Sequence, residues 1–463
     1  MKLSDTGELS QKQQTYIEGQ LASLASECNT YWRYYIGQNP PIIDATAKLT
    51  PPDNRVPGPF ARKLIDTLKG YAAKPGSTTY TTEGDYADTL KEIFDANDEE
   101  LVTSEEFTDT CITGHGYEII RVDEEAKAVK IYRIAPGTGY PVYDDTLAKN
   151  MIAFVHLVTI TDEADAAVTT KIRTTYYADQ WVEETSSGGA EFAETDRRDH
   201  PFGMVPAVDY TGSMDKLPLF YAVLALINEH DKITSSSYAD DRDRFANAYL
   251  TMLKRIDNVK RDENGRTDLE NIAIKRIFDG LGADGEIKDV ASAIGFLAKP
   301  SRGSDVAEQA DRFERLIYDF SSIINMNDYK AGTPTAAIAY RLKVMAMEFK
   351  AADFYAYFDK GLQRRIQIID GAAAIHGGKP EPVTIHHERN IPSDIDTLAV
   401  TAGNLKGILS DETILNLFPG DIVPDKKEEL KRLAGQMEPL PDDEAVSQRD
   451  IDNEETERNS ENA

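Results

Sequence analysis

The chain has 463 residues, enough for several domains and a sizeable core, and a formal net charge of −29. So acidic a protein is a poor sequence-independent grip on DNA, because affinity for phosphate comes from lysine and arginine, although a repulsive or neutral wall lets a polyanion slide past. Two cysteines, Cys28 and Cys111, give no disulfide framework, MKLSDTGELSQKQQ lacks the apolar core of a signal peptide, and no run approaches the ~20 apolar residues of a membrane span.

These features predict a soluble intracellular or particle-bound protein. In chain order, Leu9 to about Ile36 is predicted as a helix rich in Gln, Ala and aromatics, stopped by Gly37 and two prolines. A Pro-rich connector, LTPPDNRVPGPF, precedes a helical ARKLIDTLKGYAAKP. Tyr86 to Thr113 is acidic and helical. From Tyr117 to Tyr143 the period changes to short β-rich runs with turns between them. Phe154–Ile160 and Thr174–Val182 are expected as further strands, Ser186–Ala190 as a turn, and HPFGMVPAVDY as a loop into a final strand. The first ~210 residues therefore read as α+β.

Leu219–Leu253 is predicted helical, with Leu226 and Ile227 on its apolar side and DDRDRF in its middle. Arg255–Pro300 reads as a small α/β insert, with IAIKRIF as a strand. Val306–Ile324 is predicted as an amphipathic helix with Phe313, Leu316, Ile317, Phe320, Ile323 and Ile324 on one face. Asn325–Asp370 begins as a polar loop and becomes one long helix, capped by Thr333 with Pro334 at its first position. Ile338, Leu342, Met345, Phe349, Ala352 and Ala356 are expected to form its apolar stripe, carried on by Leu362, Ile366 and Ile369, along about 50 Å. Beyond Gly371 come a strand-like VTIHHERN, two or three short helices up to Met437, and an acidic tail expected to be disordered.

Few chemical motifs stand out. Gly280-Leu281-Gly282-Ala283-Asp284-Gly285 fits G-x-G-x-x-G, but Asp279, Asp284 and Glu286 crowd the place where a pyrophosphate would sit, so a surface turn competes with a nucleotide site. No G-x-x-x-x-G-K-[ST] loop occurs. Neighbouring His386 and His387 would point to opposite faces of a strand, a poor chelating pair at an exposed strand end. Gly114-His115-Gly116 reads as a tight turn without a nucleophile elbow. An enzyme is disfavoured, and neither metal nor cofactor is expected. Asp240, Asp241, Arg242, Asp243 and Arg244 alternate sign along a helix, either as a solvated face or as pairing between subunits. Asn327-Asp328-Tyr329-Lys330-Ala331-Gly332 is either a plain connection or a projecting loop whose Tyr329 and Lys330 touch phosphate, with Gly332 as hinge.

The order of these segments resembles the portal proteins of tailed double-stranded DNA phages, in the branch with long non-contractile tails. The resemblance runs from about Tyr31 to Leu433. It rests on YYIGQNPPI, NRVPGPFARKLIDTLKGYAAKP, GHGYEIIRVDEE, IYRIAPGTGYPVYDD and HPFGMVPAVDY, then on LALINEHDKITSSSYADDRDRFANAYLTM and the long helix ending in Gly-Leu-x-Arg-Arg. Relatives usually have Ser-Gly where Thr333-Pro334 stands here, which stiffens the loop exit. Their tight Gly/Pro turn becomes Lys74-Pro75-Gly76, and no minor-head domain is expected after the C-terminal region.

The resemblance implies a portal fold with wing, stem, clip and crown around a central channel, in a ring commonly of twelve subunits, or thirteen in isolation. By that analogy 1–218 is the wing, 219–254 and 301–324 the stem, 255–300 the clip, 325–335 the tunnel loop, 336–370 the long wing helix, 371–437 the crown and 438–463 the tail. Asn327, Asp328, Tyr329, Lys330, Gly332 and Thr333 would face DNA. Lys275, Arg276, Asp279, Asp284 and Glu286 would dock partners on the clip, and Asp240–Arg244 would line the subunit interface. Implied partners are the duplex, the terminase large subunit, which would hydrolyse the ATP, head-completion or adaptor proteins, the scaffold and the major capsid protein. The implied location is the portal vertex of the virion, after assembly in the host cytoplasm. The other readings are a nucleotide-dependent enzyme using the Gly280–Gly285 loop, and a capsid connector without a DNA channel.

Overall fold

The computed structural model describes residues 1–4, 7–46, 54–82, 84, 86–123, 128–161, 169–246, 249–252, 294–297, 303–325, 337–372, 379–390, 395–418, 423 and 426–436. Of residues 236–246, 249–252, 294–297, 303–305, 337–343, 395–398, 427 and 434–436 only the backbone is described. The chain divides into two compact units, Met1–Asn390 and Ile391–Ala463.

In the first unit, α1 (Gln11–Tyr35) starts where Gln13 Oε1 accepts the Ser10 backbone N–H at 2.9 Å. A short α2 (Pro40–Ile43) follows, where the sequence announced only a stop. Next come α3 (Phe60–Ala72) and β1 (Thr78–Thr81). The expected helical run from Tyr86 is two helices, α4 (Tyr86–Asp95) and α5 (Glu99–Thr113), separated by Asp98 in the left-handed region at φ 49°. Gly114 closes α5 at φ +83°, where a Cβ would lie 2.1 Å from the Lys216 carbonyl oxygen, so a turn fits and a side chain does not.

Strands β2 (Gly116–Asp123) and β3 (Ala128–Ile134) pair antiparallel, and β9 (Ala207–Tyr210) pairs on the other edge of β2. A second, five-stranded antiparallel sheet runs in order β4 (Gly139–Tyr143), β5 (Met151–Thr161), β6 (Thr169–Tyr176), β7 (Gln180–Ser187) and β8 (Ala193–Asp199). The expected strand Thr174–Val182 straddles the β6–β7 turn, and polar β8 has no apolar alternation to betray it. The three-stranded sheet buries both faces. Ile120, Ile131 and Val208 face the helical core, while Tyr117, Ile119 and Ile134 pack with Phe154 and Tyr176 of the second sheet.

After a short 3-10 turn, α6 runs Leu224–Ala246 and then gives way to β10 (Tyr249–Met252), ending the helix earlier than expected. β10 pairs antiparallel with β11 (Ile294–Leu297), which leads into α7 (Gly303–Ser321). The long helix is α8 (Ala337–Gly371), and β12 (Thr384–His387) pairs antiparallel with β1. The strand expected at VTIHHERN is thus part of the first unit's sheet structure. The second unit contains α9 (Ile395–Leu405), α10 (Asp411–Asn416) and α11 (Lys426–Gln436), matching the expected short helices.

The long helix corrects one reading. Met345 and Phe349 are 48% and 64% exposed, and Ala352 and Ala356 are exposed too. The buried phase is Val344, Met347, Ala351, Phe354, Tyr355, Phe358, Leu362, Ile366 and Ile369. At about 100° per residue the expected stripe lies roughly a third of a turn away from Leu362 and Ile369, so the two halves never formed one line. On α7, Ile317 is buried with Phe313 and Leu316 half-buried, but Phe320 is 64% exposed, and Ile323 and Ile324 lie past the helix end.

Candidate functional site

Helices α6 and α7 pack together, and the β10–β11 pair joins their far ends. The chain runs out along α6 into β10 and returns through β11 into α7. The near end of α6 is fixed by a buried carboxylate. Asp231 is fully enclosed and accepts Asn39 Nδ2 at 2.7 Å and the Gly58 backbone N–H at 2.9 Å. Tyr34 donates to Asn228 at 3.0 Å, and Ser235 Oγ accepts the Val56 N–H at 3.1 Å. Phe60 meets the His230 ring edge-on at 4.7 Å. The N-terminal segments therefore grip the root of α6 through directional bonds, which a purely apolar seat would not orient.

Helix α8 packs into the core from Val344 to Ile369. Gly361, Leu362, Arg364 and Arg365 each have a separate task. A Cβ on Gly361 would lie 2.2 Å from the Tyr210 ring, so glycine lets β9 approach the helix. Leu362 is fully buried. Arg364 donates to the carbonyl oxygens of Ala207 at 2.8 Å and Val205 at 3.1 Å. Arg365, with no exposed surface, donates to both carboxylate oxygens of Glu118, through Nε to Oε2 at 2.9 Å and through Nη2 to Oε1. It also bonds Glu99 on α5 and the Thr103 hydroxyl at 2.7 Å. Burial works against its charge, but Glu118 foremost among its neighbours more than offsets this, and Arg365 is held above its ordinary range.

One carboxyl beside this cluster has no partner among the described residues. Glu106 is fully buried and neither oxygen has a hydrogen-bond partner. Burial, and then the charges of Glu118 and Asp109, push its pKa well above the usual carboxylate range. Its carboxyl occupies the space that a Cβ on Gly116 would take.

Other sequence candidates fall as follows. Asn327, Asp328, Tyr329, Lys330, Gly332 and Thr333 lie outside the described residues, as do Lys275, Arg276, Asp279, Asp284, Glu286 and the Gly280–Gly285 loop. Asp240–Arg244 sit on α6, whose backbone alone is described there. His386 is exposed while His387 turns inward, on opposite faces as expected. His387, however, is not at an exposed strand end. It stacks on Tyr355 at 3.8 Å, and its Nε2 lies 2.7 Å from Asp359, tying β12 to α8. His115 is also enclosed, and burial lowers its pKa to about 4. Among the described residues no group of three or more metal-ligating side chains comes together, and no helix is long and apolar enough to cross a membrane.

Sequence reasoning missed Arg365, Glu118, Glu99 and Asp231. A signal existed for the first: Arg365 shares the phase of Phe358, Leu362 and Ile369, and a charge on the buried face of a helix needs a counter-charge.

A family model described as phage portal protein, SPP1 Gp6-like, matches residues 15–438. The chain belongs to the phage portal protein family. It is a phage head–tail connector, in a family of structural proteins. No curated protein matches the portal chain. Among solved structures it is similar to a chain in the neck of a native GTA particle computed with C12 symmetry. Identity there is 11%, covering 81% of this chain and 96% of that one, with a TM-score of 0.37. It is similar also to a chain in the neck of an empty GTA particle computed with C6 symmetry, at 12% identity over 84% and 93%, TM-score 0.36. A third is a chain in the virion of the native gene transfer agent particle, at 10% identity over 84% and 92%, TM-score 0.36.

Proposed function

We propose that copies of this portal protein close into a ring, of twelve subunits in the particle, at one capsid vertex, and that double-stranded DNA enters and leaves through its channel. The observation that carries this reading is the α6–α7 hairpin, closed by β10–β11 and followed in the sequence by the long helix, in a chain matched by the portal family over 15–438. In this reading residues 1–218 are the wing and α6 and α7 the stem. Residues 255–300, which follow β10 and include β11, are the clip that meets the terminase large subunit and later the head-completion proteins. Residues 325–335 are the tunnel loop, α8 crosses the wing, and the crown lies within 371–437. The scaffold and major capsid protein surround the ring during assembly in the host cytoplasm, and the ring stays in the virion.

The net charge of −29 then has a use. A ring of acidic subunits repels a polyanion on average, so DNA does not bind the wall tightly and moves with little friction. Lys330, repeated by symmetry, would touch the backbone at one level and damp or ratchet the strand. Lys330→Ala is expected to leave ring assembly intact and to change packaging or retention of DNA. Particles that package and retain DNA like wild type would contradict that role.

A further inference from the structure

We propose that the groove beside β1 is a docking site for an extended, lysine- or arginine-bearing segment of a second protein. The groove has a volume of about 620 Å³ and lies between β1, α4 and the start of α5. Its floor is apolar: Leu90 and Phe94 are buried there, and Tyr80 meets the Phe94 ring at 4.7 Å. Leu101, half exposed, stands at its margin. Such a floor accepts alternate apolar side chains of an extended peptide.

The walls select the charge. Asp88, Asp98 and Glu100 line the groove and are exposed. The only described basic side chain lining it, Lys91, is already bonded to Asp95 at 2.6 Å. Among the described strands β1 pairs with β12 alone, so its other edge is without a strand neighbour. Thr82 Oγ1, which also lines the groove, is shut from solvent without a hydrogen-bond partner among the described residues. An unpaired strand edge takes up an added strand through main-chain bonds, and the acidic walls favour one with basic residues on the alternate positions.

The same walls exclude a phosphate backbone, and a second copy of a −29 chain brings mostly like charge. The occupant assigned here is therefore a different, basic polypeptide.

The test uses the full chain, as isolated and in its assembled form. The probe is a fluorescently labelled heptapeptide alternating Lys and Val, with a Glu–Val heptapeptide as control. The expected result is saturable, salt-sensitive binding of one basic peptide per chain and no binding of the acidic one. Combined Asp88→Asn, Asp98→Asn and Glu100→Gln should weaken it about tenfold or more, with asparagine keeping the left-handed backbone at position 98. Ala87→Trp should abolish it by filling the groove, its fold checked by circular dichroism. Non-saturable binding, equal binding of the acidic peptide, or indifference to both variants would overturn the proposal. Binding to the free chain that is lost on assembly would also overturn it, and would assign the groove to a neighbouring copy.

Discussion

Arg365 is a full charge without exposed surface, and its stability depends on what faces it. Glu118 and Glu99 supply the counter-charge from β2 and α5, so one side chain ties the long helix to a sheet and to a helix. Removing one partner of a buried pair strands the others, at a cost of about 3–5 kcal/mol. Arg365→Ala should therefore lose about that much stability in urea unfolding, whereas an exposed arginine such as Arg62 should lose little on the same change. Equal losses would show that the buried cluster does not hold the helix. Glu106 predicts a pH dependence. Its folded pKa is raised, facing Glu118 on β2, Asp109 on its own helix, Arg133 on β3 and Arg365 on α8. Above about pH 4.3 the unfolded chain releases that proton while the folded chain keeps it, so stability falls by about 1.4 kcal/mol per pH unit until the folded group ionises as well. Glu106→Gln should flatten this fall, seen in denaturation midpoints from pH 5 upward; an unchanged slope would assign the proton elsewhere.

At the scale of elements, the long helix shows what a sequence can and cannot reveal. Its existence and its run to Gly371 were legible, because Ala337–Gly371 has one glycine before its last residue and no proline, while the expected start at Thr333 and Pro334 lies outside the described residues. Its buried face was not, because apolar residues occur on both sides and periodicity alone cannot say which side meets the wing. Tyr210, Phe107 and the carboxylates Glu118 of β2 and Glu99 of α5 decide it, and they come from distant parts of the chain. The strands of the three-stranded sheet were readable from their β-branched runs, whereas polar β8 exists only because β7 offers an edge. The hairpin of α6 and α7 was anticipated, but the carboxylate that roots α6, Asp231, was hidden in a charged stretch that looks like surface. Exposed Met345 and Phe349 give α8 a second apolar side in the single chain. In the ring reading that side meets a neighbour. Phe349→Asp should then leave the subunit's melting temperature nearly unchanged and lower the yield of rings, by size-exclusion and imaging. Phe358→Ala, on the buried side, should cost about 3–5 kcal/mol instead. Rings forming normally with Phe349→Asp would place the interface elsewhere.

At the scale of the whole molecule, the family was legible where single motifs were weak, because their order along the chain matched throughout, and the family match over 15–438 agrees with it. The motif ending the long helix was recognisable as letters before its physics was known: glycine for the Tyr210 ring, one arginine for two carbonyls, the next for the buried carboxylates. The ring and its channel remain the central claim, and they belong to many copies at once. Native mass spectrometry with electron imaging of the purified chain, taken across concentration and salt, tests that claim most directly. The account predicts a closed ring of about twelve or thirteen subunits with a central hole that passes a DNA duplex. A folded chain that stays monomeric or dimeric under all those conditions and with its scaffold present, or a ring whose opening is too narrow for a duplex, would contradict it.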